Sequence, residues 1–480
     1  MSAVSKAFSA ASLARPANAA PPRFVVAAPR SGEGKTTVAL GLMAALRQRG
    51  LAVQGFKVGP DYLDTGYQRF AAGVPGRNLD LFMMGEEAVL GAVAGSTADV
   101  AVIEGVMGLF DGHRDGVTPT STADVAQRLR APVILVLDAA RMSASVGALA
   151  LGFKTYDPGV DVVGVILNRW NPRRSRTAVE AALARAGVET LGYLPAADDL
   201  ELPSRHLGLV VADELGSEAA KVMDRLGELL ATHVDLDRVL ALAQGAPAVT
   251  APPRAPGVGG QSGRPVARPR LAVAWDEAFA FYYADTLRLL RERGAELLLF
   301  SPLEAAELPV CDGLYLGGGY PELHAAGLSS NVPLRRHLAA ALAAGLPAYA
   351  ECGGLLYLCE SLEDLDGRTW PLVGAIPGRA RMHKRLQGMG YREAVLASGS
   401  LLGPAGATVR GHEFHYSSCE LDNAGRAAYL VDGKPEGYAA GDLFASYVHL
   451  HFAGHPAALE HWLERCRAHA GGRSSGGAPS

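Results

Sequence analysis

The sequence has no apolar run approaching the roughly 20 residues that cross a bilayer; its longer ones, such as 131–137 and 297–300, are strand-length. No membrane partner is therefore expected. Its five cysteines include no C-x-x-C pair, which disfavours a zinc cage or a disulfide framework and fits a reducing cytoplasm. Charge of one sign is also missing. Lys+Arg of 45 against Asp+Glu of 49 leaves −4, so no basic field invites nucleic acid.

What the sequence does have is apolar, β-branched strand patterns alternating with helix-length segments. Strands are expected at 24–28, 52–57, 100–104, 133–137 and 162–167, which predicts a parallel sheet covered on both faces. Segment 246–269 is rich in Pro and Gly without an acidic residue and reads as a linker. After it the pattern restarts at 271–275, 296–300, 313–316 and 348–350, with a helix over 285–293. The expected organisation is a disordered extension 1–22, an α/β domain 23–245, the linker, a second α/β domain 270–468 and a disordered tail 469–480. The Ala/Ser-rich start reads as disorder rather than as a targeting peptide.

Between the first strand and the first helix lies Arg30-Ser31-Gly32-Glu33-Gly34-Lys35-Thr36-Thr37. Backbone N–H groups and the helix dipole at such a turn hold phosphate, so Gly32, Gly34, Lys35, Thr36 and Thr37 are the expected ATP-binding set, with Arg30 nearby. Lys35 would contact the β/γ-phosphates and the Thr36 hydroxyl would take Mg²⁺. The next strands end in Lys57 to Asp64 and in Glu104 to Gly112, where open α/β sheets bind ligands. Asp61 and Glu104 are candidate Mg²⁺ ligands beside Thr36, and Asp64 and Asp111 weaker ones. Asn168, closing another strand, is a candidate for the nucleotide base.

In the second half, Ala350-Glu351-Cys352-Gly353-Gly354 runs from a strand through a small-residue turn into a helix. This is the layout of a nucleophile elbow, with the Cys352 thiolate favoured at a helix N-terminus and the Gly353 N–H as one oxyanion donor. Gly317-Gly318-Gly319 is the expected source of the second. A thiol nucleophile needs a base near in space, and the alternation of Tyr447-Val448-His449-Leu450-His451 predicts both histidines on one face. His412 and His415 resemble half a metal site but read as pocket lining. Basic residues from Arg379 to Arg392 read either as a solvated hairpin or as a patch for a polycarboxylate.

A phosphate loop joined to a cysteine elbow suggests that ammonia released from an amide attacks a carboxylate activated by ATP. On Ser31 to Thr37, Lys57 to Asp64, Glu104 to Gly112, Leu316 to Leu323, Glu351 to Gly354, Gly411 to Ser417 and Ser446 to Phe452, the chain resembles the cobyrinic acid a,c-diamide synthase family from Phe24 to about Arg467. The resemblance implies a dethiobiotin-synthetase-like ATPase domain followed by a class I glutamine amidotransferase-like domain. It implies amidation of the a and c acetates of a corrin polycarboxylate, with glutamine and ATP as cosubstrates and Mg²⁺ as cofactor. It also implies Cys352 as nucleophile, His449 as its base, Asp61, Glu104 and Asp111 as catalytic residues of the synthetase, and Tyr62, Leu63, Gly319 and Gly353 as substrate contacts. The class usually carries Glu two residues after the histidine and Gln four after the cysteine; here those positions are His451 and Leu356, so the group that orients His449 is left open. A homodimer is left open too. Rival readings are cobyric acid synthase, amidation of another tetrapyrrole, and a nucleotide-switched partitioning or metallochaperone ATPase.

Overall fold

The computed structural model describes residues 19–171, 173, 175–196, 204–205, 208–209, 212–250 and 268–475. Two compact units, 1–255 and 256–480, divide the chain.

The first unit is built on seven strands: β1 (Arg23–Ala27), β2 (Val53–Val58), β3 (Arg77–Leu79), β4 (Val100–Glu104), β5 (Val133–Asp138), β6 (Val162–Trp170) and β7 (Glu189–Pro195). They pair in the order β3-β2-β4-β1-β5-β6-β7, and every pairing is parallel. The central strands are buried throughout their lengths, which is why they read as continuous apolar runs instead of alternating ones. β1 lies between β4 and β5, so the chain leaves it to build one side of the sheet and returns to build the other. Its carboxyl end is therefore the switch point at which such sheets take a ligand.

The edges of this unit differ from the expectation. Ala19 bridges Thr250, and the Ala20 N–H donates to the Val249 carbonyl at 2.8 Å. Arg23, buried, donates to the carbonyls of Leu129 at 2.7 Å and Pro247 at 2.6 Å. Residues 19–22 and 246–250 thus belong to the folded unit because they satisfy one another's backbone groups and a buried guanidinium. Residues 1–18 and 251–267, the rest of the expected extension and linker, lie outside the described residues.

The second unit opens on a six-stranded sheet in the order Glu296–Phe300, Arg270–Ala274, Gly313–Leu316, Ala348–Glu351, Leu443–Ser446, Tyr438–Ala440. All its pairings are parallel except the last. The strands between 359 and 436 form two further, largely antiparallel sheets. There the 379–392 hairpin, one of the two readings of the basic run, is absent. Ile376–Met382 pairs with Ser417–Leu421, and Gly388–Leu396 pairs with Thr408–His415, so the two basic strands sit in different sheets. The final helix, Pro456–Ser475, carries helical backbone into the segment expected as a disordered tail; 476–480 lie outside the described residues.

Candidate active sites

Gly32 and Gly34 hold φ of +85° and +93°, a backbone that a side chain strains, and helix Lys35–Gln48 starts with no side-chain cap. Its first N–H groups are left to an anion. Asn168, expected at the nucleotide base, braces the loop. Its Nδ2 donates to the Glu33 carbonyl at 2.9 Å, and a Cβ on Gly34 would come within 2.2 Å of that nitrogen. Glu33 receives the Asp138 N–H at 2.6 Å and Arg30 at 2.9 Å, and exposed Arg30 has this as its ion pair. The Lys35 ammonium donates across the loop to the Arg30 carbonyl at 3.2 Å.

Behind the loop the ends of β2 and β4 bring charge together. Lys57 and Glu104 are in register on adjacent strands and bond at 2.9 Å; Lys57 also pairs with Asp64 and lies 4.0 Å from Asp61. Thr36 Oγ1 donates to Glu104 at 2.6 Å, and Gln68 donates to its other oxygen at 3.1 Å. Burial alone would drive Lys57 neutral, but Asp64 and Glu104 keep it protonated. Burial, and then repulsion from Asp64, pushes Asp61 up to about 7. Despite its own burial, Asp64 is held below the usual carboxylate range by Lys57.

Three carboxylates around Lys57 are an excess of negative charge that a divalent cation fits. Among the described residues no three His, Cys, Asp or Glu side chains form a ready metal cage. A cation here would complete its shell with phosphate oxygens and water, as Mg²⁺ does. Tyr62 and Leu63 open helix Leu63–Ala72, whose first N–H groups are capped by Asp61 Oδ1 at 2.9 Å. Asp111 is exposed and accepts the Gly108 N–H at 2.8 Å, in a turn packed on the phosphate loop through Leu109 N to Ala28 O at 2.9 Å. Lys57 is the member of this cluster that sequence reasoning did not single out. The available signal was an ammonium inside a strand otherwise fit for burial.

In the second unit Cys352 ends strand Ala348–Glu351 with φ +49° and ψ −103°, a left-handed backbone rare for a side-chain-bearing residue. Cys352 N donates to Ser446 O at 2.8 Å and Gly354 N to Gly317 O at 3.0 Å, which pins the elbow between two strands. Gly353 is close-packed: its Cβ would stand 3.1 Å from the Gly319 N and 3.0 Å from the Pro321 ring. The two glycines expected as oxyanion donors are therefore packed against each other. On Gly318 a Cβ would meet the His449 ring at 2.6 Å.

His449 is buried and interacts with both Cys352 and Glu351. Its Nδ1 stands 3.6 Å from Glu351 Oε2, an ion-pair distance rather than a hydrogen bond, which leaves Nε2 for the thiol. Burial alone would lower the imidazolium pKa, but Cys352 and Glu351 outweigh it and raise the pKa to about 10. Glu351 is itself fixed, accepting the Tyr349 hydroxyl at 2.6 Å, the Leu450 N–H at 2.8 Å and the Tyr315 hydroxyl at 3.2 Å.

The regular strand from which His449 and His451 were expected to share a face is not formed. The chain leaves the parallel sheet after Ser446 and joins another at His449–Leu450, opposite Gly411 and His412, and His451 packs on Tyr283 with ring centroids 4.7 Å apart. Tyr447 stacks on His415 at 3.7 Å, and burial, ahead of repulsion from the protonated His449, lowers the His412 pKa to about 3. Of the basic run, Arg381 pairs with Glu363 and Arg392 with Glu413, each at 2.9 Å, while Arg379, Lys384 and Arg385 are exposed.

Residues 24–210 match the family model described as CobQ/CobB/MinD/ParA nucleotide binding domain, and residues 270–457 match that of the CobB/CobQ-like glutamine amidotransferase domain. A cobyrinate a,c-diamide synthase of Listeria innocua is 42% identical, covering 91% of this chain and 98% of its own. The chain belongs to the cobyrinate a,c-diamide synthase family. Within the family it is 44% identical to a protein of that name from Syntrophotalea carbinolica, covering 93% and 99% of the two chains. It is also 43% identical to a hydrogenobyrinate a,c-diamide synthase of Streptomyces coelicolor, covering 93% and 98%. The family's two modules are the two α/β units expected from the strand pattern. Among the described residues no helix is long and apolar enough to cross a membrane.

Proposed function

We propose that the chain amidates the a- and c-acetate carboxylates of cobyrinate or hydrogenobyrinate, with ammonia from glutamine and energy from ATP. The observation that carries this reading is the strained Cys352 elbow facing His449, in one chain with a glycine-dependent phosphate loop. In the second unit Cys352 Sγ attacks the glutamine carboxamide. The tetrahedral oxyanion takes hydrogen bonds from the Gly319 and Gly353 N–H groups, and His449 gives its proton to the departing ammonia. Water then cleaves the thioester and releases glutamate. Glu351 is the positioning residue for His449, in the role left open by the residue two places after it.

In the first unit the N–H groups of Gly32 to Thr37 and the Lys35 ammonium hold the ATP phosphates. Thr36, Asp61 and Glu104 are the residues that would hold Mg²⁺, which when bound shields the charge that builds on the γ-phosphoryl oxygens. A corrin carboxylate, positioned by Tyr62 and Leu63, attacks the γ-phosphorus and ADP leaves; ammonia displaces phosphate from the acyl phosphate to give the amide. Asp111, on the turn beside the loop, completes the synthetase residues.

Mass spectrometry of cobyrinate and hydrogenobyrinate, each incubated with the protein, Mg-ATP and glutamine, tests the reading. Two successive carboxyl-to-amide conversions are expected on at least one ring. Cys352→Ala should lose them with glutamine and regain them with ammonium salt. ATP hydrolysis with neither ring changed would overturn the corrin assignment.

A further inference from the structure

Glutamine carries an α-ammonium beside its carboxamide, and a site that selects it needs an anionic acceptor for that group. Around Cys352 most carboxylates are engaged. Glu351 holds His449 and two tyrosines; Glu436 accepts Ser446 Oγ at 2.6 Å and Tyr447 N at 2.8 Å; Glu413 pairs with Arg392 at 2.9 Å. Glu322 is different. It belongs to the same loop as Gly319, follows the Pro321 ring that packs on Gly353, and is half-buried. Among the described residues its carboxylate bonds to no group but its own backbone, and burial without a partner pushes it up to about 7. An ammonium beside it would supply the missing charge.

We propose that Glu322 receives the α-ammonium of glutamine and so selects this amide donor over uncharged ones. The assignment rests on the reading of Cys352 as a glutaminase nucleophile. It is tested in the full-length protein by comparing glutamine with glutaramate, the same carboxamide without the α-amino group.

Glu322→Gln should reduce kcat/KM for glutamine by about 10- to 100-fold, the range of a lost charged hydrogen bond, chiefly through KM. Its kcat/KM for glutaramate should stay within about twofold, because the lost contact has no counterpart in that substrate. Glu322→Asp, which keeps the charge, should retain part of the preference and serves also if the amide variant does not fold. Equal losses on both donors, or no loss on either, would overturn the assignment. A wild-type protein that neither hydrolyses glutamine nor is labelled at Cys352 by 6-diazo-5-oxonorleucine would remove the nucleophile reading itself, and the assignment with it.

Discussion

At the carboxyl end of the first sheet three carboxylates crowd around Lys57, with Lys35 as a second ammonium facing Glu104 and Asp64; in the second unit a single carboxylate stands behind a single imidazole. The first arrangement has surplus negative charge and suits a ligand set that brings cations. The second is balanced within itself, Glu351 and the thiol facing one protonated ring, and suits a neutral carboxamide. Burial makes both arrangements strong, because charges removed from water interact at a lower effective dielectric. What separates them is the count of charges and not the depth at which they sit.

The comparison can be broken first at its balanced side. Glu351→Gln removes the charge behind His449, and glutamine hydrolysis is expected to fall about 10³- to 10⁴-fold, as for loss of the acid behind a catalytic histidine elsewhere. The raised pKa of His449, about 10, means that its ion pairs contribute stability fully below the ordinary histidine value near 6.5, and that this contribution is lost as pH rises through about 10. In Glu351→Gln the alkaline limb of kcat/KM for glutamine should therefore move to lower pH, and an unmoved limb would refute the coupling.

Lys57→Met attacks the crowded side. It leaves Asp64 and Glu104 buried without their cation, and breaking such a pair costs about 3–5 kcal/mol. The unfolding transition of the first unit in urea should shift accordingly, with that of the second unchanged. Gly318→Ala places a methyl where the His449 ring now lies. A displacement of about 1 Å at a reacting group is worth about 10²-fold in glutaminase rate, so burst kinetics should show a slowed acylation step. The smallest effect is expected from Asn168→Ala, which loosens the phosphate loop through one lost hydrogen bond, worth about a tenfold rise in KM for ATP. An unchanged KM would refute the bracing role.

The central parallel strands were legible because they are buried on both faces: β4 spans Val100–Glu104 as its apolar run predicts, and Gly313–Leu316 matches likewise, whereas Glu296–Phe300, an edge strand with Leu299 exposed, was legible from its apolar run alone. The sheets between 359 and 436 were not, since strands such as Ile376–Met382 are half-exposed, carry Pro377 and Gly378, and pair with partners some 40 residues away. The phosphate loop could be read locally because its chemistry lies in consecutive backbone groups. Its brace by Asn168 could not, being a contact across 135 residues. The support of His449 was hidden for another reason. It comes from Glu351, immediately before the cysteine, where an acid closing a four-residue buried strand looked like a strand end and not a partner.

Arg23 joins the two ends of the first unit, accepting no substitute from solvent, since its guanidinium is shut away between the Leu129 and Pro247 carbonyls. This sets where the gene can be cut. A fragment ending at residue 250 keeps the clasp whole, whereas one ending at Gln244, where the last helix stops, discards a carbonyl that a buried cation requires. Six residues of apparent spacer thus decide whether the nucleotide-binding half can be expressed as a module of its own.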